Sequence, residues 1–93
     1  MAELMTEIVG GEPYEYYPLG EYVVRAPGVC GGRPTFKYTR IEATWVLQRL
    51  GTGEQLESLV ADYAGRVPAE AIREACEIVT RCFLDTLPDL VAA

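Results

Sequence analysis

No histidine occurs among the 93 residues, so the chain has no imidazole to act as a general base and lacks one of the principal zinc ligands. Cysteine is scarce and odd in number. Cys30, Cys76 and Cys82 form no C-x-x-C pair and do not suit a disulfide framework. Cys76 and Cys82 stand six apart on an expected helix, about 120° apart around its axis, so the three are read as small buried apolar residues and no metal site is expected. No apolar run approaches the ~20 residues that span a membrane, and the start MAELMTEIVGGEP lacks a basic, apolar-centred signal. The expectation is a cytoplasmic protein with no membrane partner.

Basic residues are also few, eight against 14 acids, and they are unevenly placed. Residues 1–21 carry five glutamates and no base, residues 22–50 carry a net +4, and residues 51–93 carry a net -5. The overall charge of -6 argues against indiscriminate nucleic-acid binding, but a local basic patch survives that objection. Hydrophobic residues at 49% and charged ones at 24% describe a globular chain, and its length makes one domain.

Residues 1–21 read as an acidic, tyrosine-rich lead-in with a turn at Gly10, Gly11 and Pro13. Tyr14, Tyr16 and Tyr17 favour extended structure, which Pro18 limits to an edge strand at most. Their flat rings suit packing over a sheet, or contact with a partner or nucleic acid. Tyr22–Val24 reads as a strand and Ala26-Pro27-Gly28-Val29 as a type II turn. Gly31 and Gly32 suggest a bulge or a close backbone approach. Thr35–Tyr38 is the returning strand, with Phe36 and Tyr38 on one face.

A first helix, from Ile41 or Glu42 to Gly51, buries Ala43, Val46, Leu47 and Leu50. It leaves Trp45 and Arg49 toward the other side, where Trp45 is covered by the ribbon or meets a partner. A second helix follows Thr52-Gly53, with a capping box from Thr52 to Gln55, and buries Leu56, Leu59, Val60 and Tyr63. A third opens at Pro68 and runs to about Leu87, with Ile72, Ala75, Cys76, Val79, Cys82 and Phe83 as its buried stripe. Ile78, Leu84, Leu87 and Leu90 fall outside that stripe, so the end of the helix is apolar over much of its circumference and calls for a cover, such as a second subunit. The expected fold class is mostly α with a small β ribbon: an N-terminal β-hairpin followed by a three-helix, helix-turn-helix-like bundle, together spanning residues 22–93.

The stretch GVCGGRPTFKYTRIEATWVLQRLGTGEQLESLVADY resembles the domain-of-unknown-function family numbered 433. That family's pattern is approximately Pro-Gly, then Cys/Gly-Gly-x-Pro-x-Ile, Gly-Thr-Arg-Ile, a helix, Gly-Glu and two more helices. Pro27, Gly28, Cys30, Gly31, Gly32, Pro34, Thr39, Arg40, Ile41, Gly53 and Glu54 stand at matching positions. Tyr38 replaces the usual glycine, so the backbone there need not be special, and Ile78 stands where an aromatic is common. The resemblance implies homeodomain-like helices and an antitoxin encoded beside a PIN-like ribonuclease toxin. Such a protein is a DNA-binding, autoregulatory homodimer that also holds its toxin.

On that reading Arg33, Lys37, Arg40 and Arg49 meet the phosphates of duplex DNA, and Trp45, Ile78, Leu84 and Leu87 form the subunit interface. Glu70 and Glu74 beside a single Arg73 make the start of the third helix a poor match to the phosphate field. The alternative is a protein-interaction module, toxin-binding or adaptor, that reads no DNA. It accounts for the acidity, Trp45, the tyrosines and the apolar end of the third helix. Arg40, at a strand-to-helix junction, also has a structural reading, tied to carbonyls or to Glu42 or Asp62. An enzyme is not expected, nor a cofactor. Glu70 with Glu74, and Asp85 with Asp89, are spaced as on any solvated helix face, and Gly31-Gly32 lacks the spacing of a phosphate loop.

Overall fold

Gly10 and Gly11 take φ of 60° and 82°, the left-handed pair that a two-residue hairpin turn demands. They belong to a computed structural model that describes residues 3–90. Strands β1 (Met5–Val9) and β2 (Glu12–Pro18) pair antiparallel about this turn, with Val9 opposite Glu12 and Met5 opposite Tyr16. The segment read as a lead-in is therefore a hairpin. Nor is β2 an edge strand, since its end also pairs with β3 (Val23–Arg25), Tyr17 opposite Arg25 and Pro18 opposite Val24. Pro18 is tolerated because the side of the strand that lacks its N–H faces past the last paired residue of β1.

β4 (Thr35–Phe36) closes a four-stranded antiparallel meander in the order β1-β2-β3-β4. Its link from β3 begins with the expected type II turn, closed by Val29 N–H to the Ala26 carbonyl at 3.0 Å with Gly28 at φ 82°. Cys30, Gly31 and Gly32 follow with φ of 49°, 65° and 80°, a left-handed turn in which Gly32 N–H donates to the Val29 carbonyl at 2.9 Å and Arg33 N–H to the Cys30 carbonyl at 3.2 Å. The returning strand stops two residues early. Tyr38 has a φ of 69° and sits in a turn closed by Thr39 N–H to the Phe36 carbonyl at 3.0 Å. Its backbone is special after all. Phe36 is buried while Tyr38 is exposed, so the two do not share a face.

Three helices follow, α1 (Ala43–Gly51), α2 (Leu56–Asp62) and α3 (Ala69–Asp85). The fold class is thus mixed α/β, with a four-stranded sheet rather than a small ribbon on a mostly α bundle. The sequence hides these strands because β2 carries two prolines, both strands carry acids, and neither presents a continuous apolar face. The expected capping box is absent too. Thr52 donates its hydroxyl to the Arg49 carbonyl at 2.8 Å, closing α1 instead of opening α2.

Side-chain alternation in β3 divides the core in two. Val23, with Phe36, packs under Ala43, Val46, Leu59, Val67, Ala71, Ile72 and Ala75 of the helical layer. Val24 faces the other way, into a small cluster with Tyr16 and Ala26. The molecule measures 56 × 34 × 20 Å with a radius of gyration of 15.0 Å, where a compact chain of this length has roughly 12 Å. Much of the excess is the β1–β2 hairpin, an arm on which every residue from Leu4 to Pro13 except Glu7 is exposed.

Candidate functional site

The apolar stripe of α3 outruns the core beneath it. Seventeen residues make a helix of about 25 Å, whereas the nine of α1 reach only about 14 Å. Ala71, Ile72 and Ala75 are buried, but the same stripe continues over the edge of the body. Val79 is 48% exposed and Phe83 62%, and Cys76 and Cys82 are exposed rather than buried. Ile78, expected outside the stripe, packs partly against the core. The overhang and α1 form the walls of a groove of about 370 Å³, lined by Leu19, Pro34, Thr44, Leu47, Ile78, Val79, Cys82 and Phe83 among others. Among the described residues no charged side chain lines it.

The four residues expected at a subunit interface do not share one patch. Ile78 lines this groove. Trp45, 64% exposed and so not covered by the ribbon, borders a shallow hollow with Arg40, Glu42 and Tyr63. Leu84 lies beside Glu77, Thr80 and Arg81, and Leu87 is exposed beyond the end of α3.

Three of the four basic residues expected at DNA are held by carboxylates of the same chain. Arg33 forks onto Glu42 at 2.7 and 3.2 Å and holds that carboxyl below its ordinary range. Arg49 donates to Glu54 at 2.9 and 2.7 Å, to Asp62 and to the Tyr63 hydroxyl, and it lowers Glu54 in the same way. Lys37 meets Glu7 at 2.9 Å and lies 4.6 Å from the centre of the Tyr16 ring. Arg40 is exposed and forms no ion pair among the described residues. Glu42 and Asp62, its expected partners, are taken by Arg33 and Arg49. Exposed ion pairs are worth about 0–1 kcal/mol, so these partners weaken a phosphate site without forbidding one.

Two carboxylates missed in the sequence organise the rest. Glu74 accepts hydrogen bonds from the backbone N–H groups of Glu21, Tyr22 and Val23 at 2.7, 2.7 and 2.9 Å, anchoring the β2–β3 loop to α3. A Cβ on Gly20 would stand 2.5 Å from the Glu74 carboxyl carbon, so a side chain there would push the carboxylate away from these N–H groups. Glu7 accepts from the hydroxyls of Tyr16 and Tyr38 and from Lys37. The Tyr16 hydroxyl first, then Tyr38 and Lys37, lower its pKa to about 2. Tyr14 completes this latch, its ring 5.5 Å from that of Tyr38 and its hydroxyl accepting the Tyr38 N–H at 3.1 Å. The glycine-like position of Tyr38 was the one local sign of it.

Among the described residues no group of three His, Cys, Asp or Glu side chains is placed to hold a metal ion, and no helix is long and apolar enough to cross a membrane. The family model described as "Protein of unknown function (DUF433)" matches residues 23–77, from β3 into α3, leaving the hairpin arm and the α3 overhang outside. No curated protein and no solved structure matches the chain.

Proposed function

Since the chain belongs to the DUF433 family, we propose that this member is a protein-interaction module, antitoxin-like or adaptor, that holds an amphipathic helix of a partner in the groove between α1 and the end of α3. The overhang of α3 carries the reading. Its core stripe continues into solvent beside a concave, uncharged wall, and a partner helix would cover it as the body covers the first turns of α3. A PIN-like toxin is the partner class that the family resemblance suggests.

Co-expression with the product of the adjacent gene tests this by size-exclusion chromatography. The two chains should elute together, and Phe83→Asp should separate them while leaving the helical circular dichroism intact. Two chains that elute apart, or a complex indifferent to Phe83→Asp, would remove the groove from the account.

Arg40 supports a second reading, a homodimeric DNA-binding regulator, because it is exposed and without an ion pair among the described residues beside Trp45. Fluorescence anisotropy of a duplex from the gene's upstream region, at two salt concentrations, decides it. Binding that weakens steeply with salt and is lost in Arg40→Ala supports the regulator. A flat titration at low salt eliminates it.

A further inference from the structure

We propose that two copies of the chain join through the outer edge of β1, in a two-fold antiparallel pairing centred on Thr6. β1 is the first strand of the meander, and among the described residues β2 is its one neighbour. The Gly10-Gly11 turn makes Val9 and Glu12 a hydrogen-bonded pair. Alternation along the ladder then points the N–H and C=O groups of Val9, Glu7 and Met5 toward β2, and those of Ile8, Thr6 and Leu4 outward. Such an edge invites another strand unless lysine, proline, a bulge or an outward charge blunts it. β1 has no lysine and no proline. Its one charge, Glu7, is turned into the latch with Tyr16, Lys37 and Tyr38 of its own chain.

The second copy is favoured as the occupant because the edge is complementary to itself in one register. With the axis at Thr6, Leu4 meets Ile8 of the second copy, Thr6 meets Thr6, and Met5 meets Glu7. Leu4, 44% exposed, and Ile8, 73% exposed, lie on one face of the strand and would cover each other twice, once on either side of the axis. An axis at Met5 places Glu3 opposite Glu7, and one at Glu7 places the two Glu7 side chains face to face. Like charges directly opposed are unfavourable. An axis at Ile8 leaves only three residues of each strand in the pairing. The arrangement centred on Thr6 closes on itself as a dimer and makes one sheet continuous through both copies. It engages neither groove, so it stands whether or not the groove holds a partner.

The test uses the full chain with Cys30, Cys76 and Cys82 replaced by serine. Opposed residues of a hydrogen-bonded antiparallel pair have Cα atoms about 5.5 Å apart, within disulfide reach. Thr6→Cys should therefore cross-link into a dimer under mild oxidation. Ile8→Cys should not, since its two copies would lie about 13 Å apart along the strand. Thr6→Pro removes an outward N–H and leaves the ladder with β2 intact, so the sedimenting mass should fall from twice the 10.3 kDa chain mass to the chain mass at micromolar concentration. A wild-type chain that sediments as a monomer overturns the proposal. So does a dimer that ignores Thr6→Pro, fails to cross-link at Thr6 and dissociates in Phe83→Asp, which would place the interface in the α3 groove.

Discussion

The body from β3 to α3 and the hairpin arm are held by different physics. Val23, Phe36, Val46, Leu59 and Ile72 bury aliphatic and aromatic surface in the body. The arm buries only Tyr16, against Val24 and Ala26, and otherwise rests on two phenols, one carboxylate, one ammonium and a trio of tilted tyrosine rings. A hairpin with both faces mostly in water has no core of its own, so it depends on this latch. Tyr38 shows what the dependence involves. A non-glycine residue at φ 69° costs about 1–2 kcal/mol, and the family pattern places glycine there. This chain keeps tyrosine, and the Tyr38 hydroxyl reaches Glu7 of the arm at 2.6 Å. The departure at Tyr38 accompanies an arm that lies outside the family match.

The comparison breaks most visibly at Phe36. Phe36→Ala should cost about 3–5 kcal/mol and melt body and arm together in a thermal scan followed by far-UV circular dichroism; an arm that stays ordered would show that it stands alone. Glu74→Ala comes next. It strands three loop N–H groups bonded at 2.7–2.9 Å, and urea denaturation should report a loss of about 2–3 kcal/mol, with Glu74→Gln intermediate.

Tyr38→Gly sharpens the contrast further. It relieves the backbone and takes the Tyr38 ring and hydroxyl out of the latch while Tyr16 and Lys37 keep their hold on Glu7, so global stability should move by less than about 1 kcal/mol while amide exchange along β1 accelerates. A large drop in the global midpoint would mean that arm and body are one cooperative unit. The smallest effect is expected from acid. The Glu7 pKa falls on folding from 4.5 to about 2, so its contribution is complete above about pH 4.5 and is lost as pH drops toward 2. Amide chemical shifts of folded β1 should titrate with a midpoint near pH 2 in the wild type, and in Glu7→Gln they should not.

Much of the body was legible. Helical spacing located α1, α2 and α3 to within a few residues, and Pro27-Gly28 announced its turn. The arm was not, although Gly10-Gly11 was read as a turn. MTEIV and EPYEYYP lack the alternation of apolar and polar residues that marks a half-buried strand, because their partners are hydroxyls and charges supplied by the turn after β4. The groove was half legible: periodicity recognised that the end of α3 is too apolar, yet it assigned Val79, Cys82 and Phe83 to the core and Ile78 outside it. Spacing tells which residues share a face and not where the surface beneath that face stops.

By itself, then, the sequence determined what depends on a few consecutive residues, the turns at Gly10-Gly11 and Pro27-Gly28, the three helices and their apolar stripes, since φ/ψ preference and periodicity act over that range. Only the tertiary structure decided which cations are neutralised, that Glu74 serves the loop of Glu21 rather than solvent, and that α3 outlasts its core. Glu21 and Glu74 are 53 residues apart, and over such separations local preference carries no information about which groups will meet, whereas packing the sheet under the helices brings them within hydrogen-bond distance.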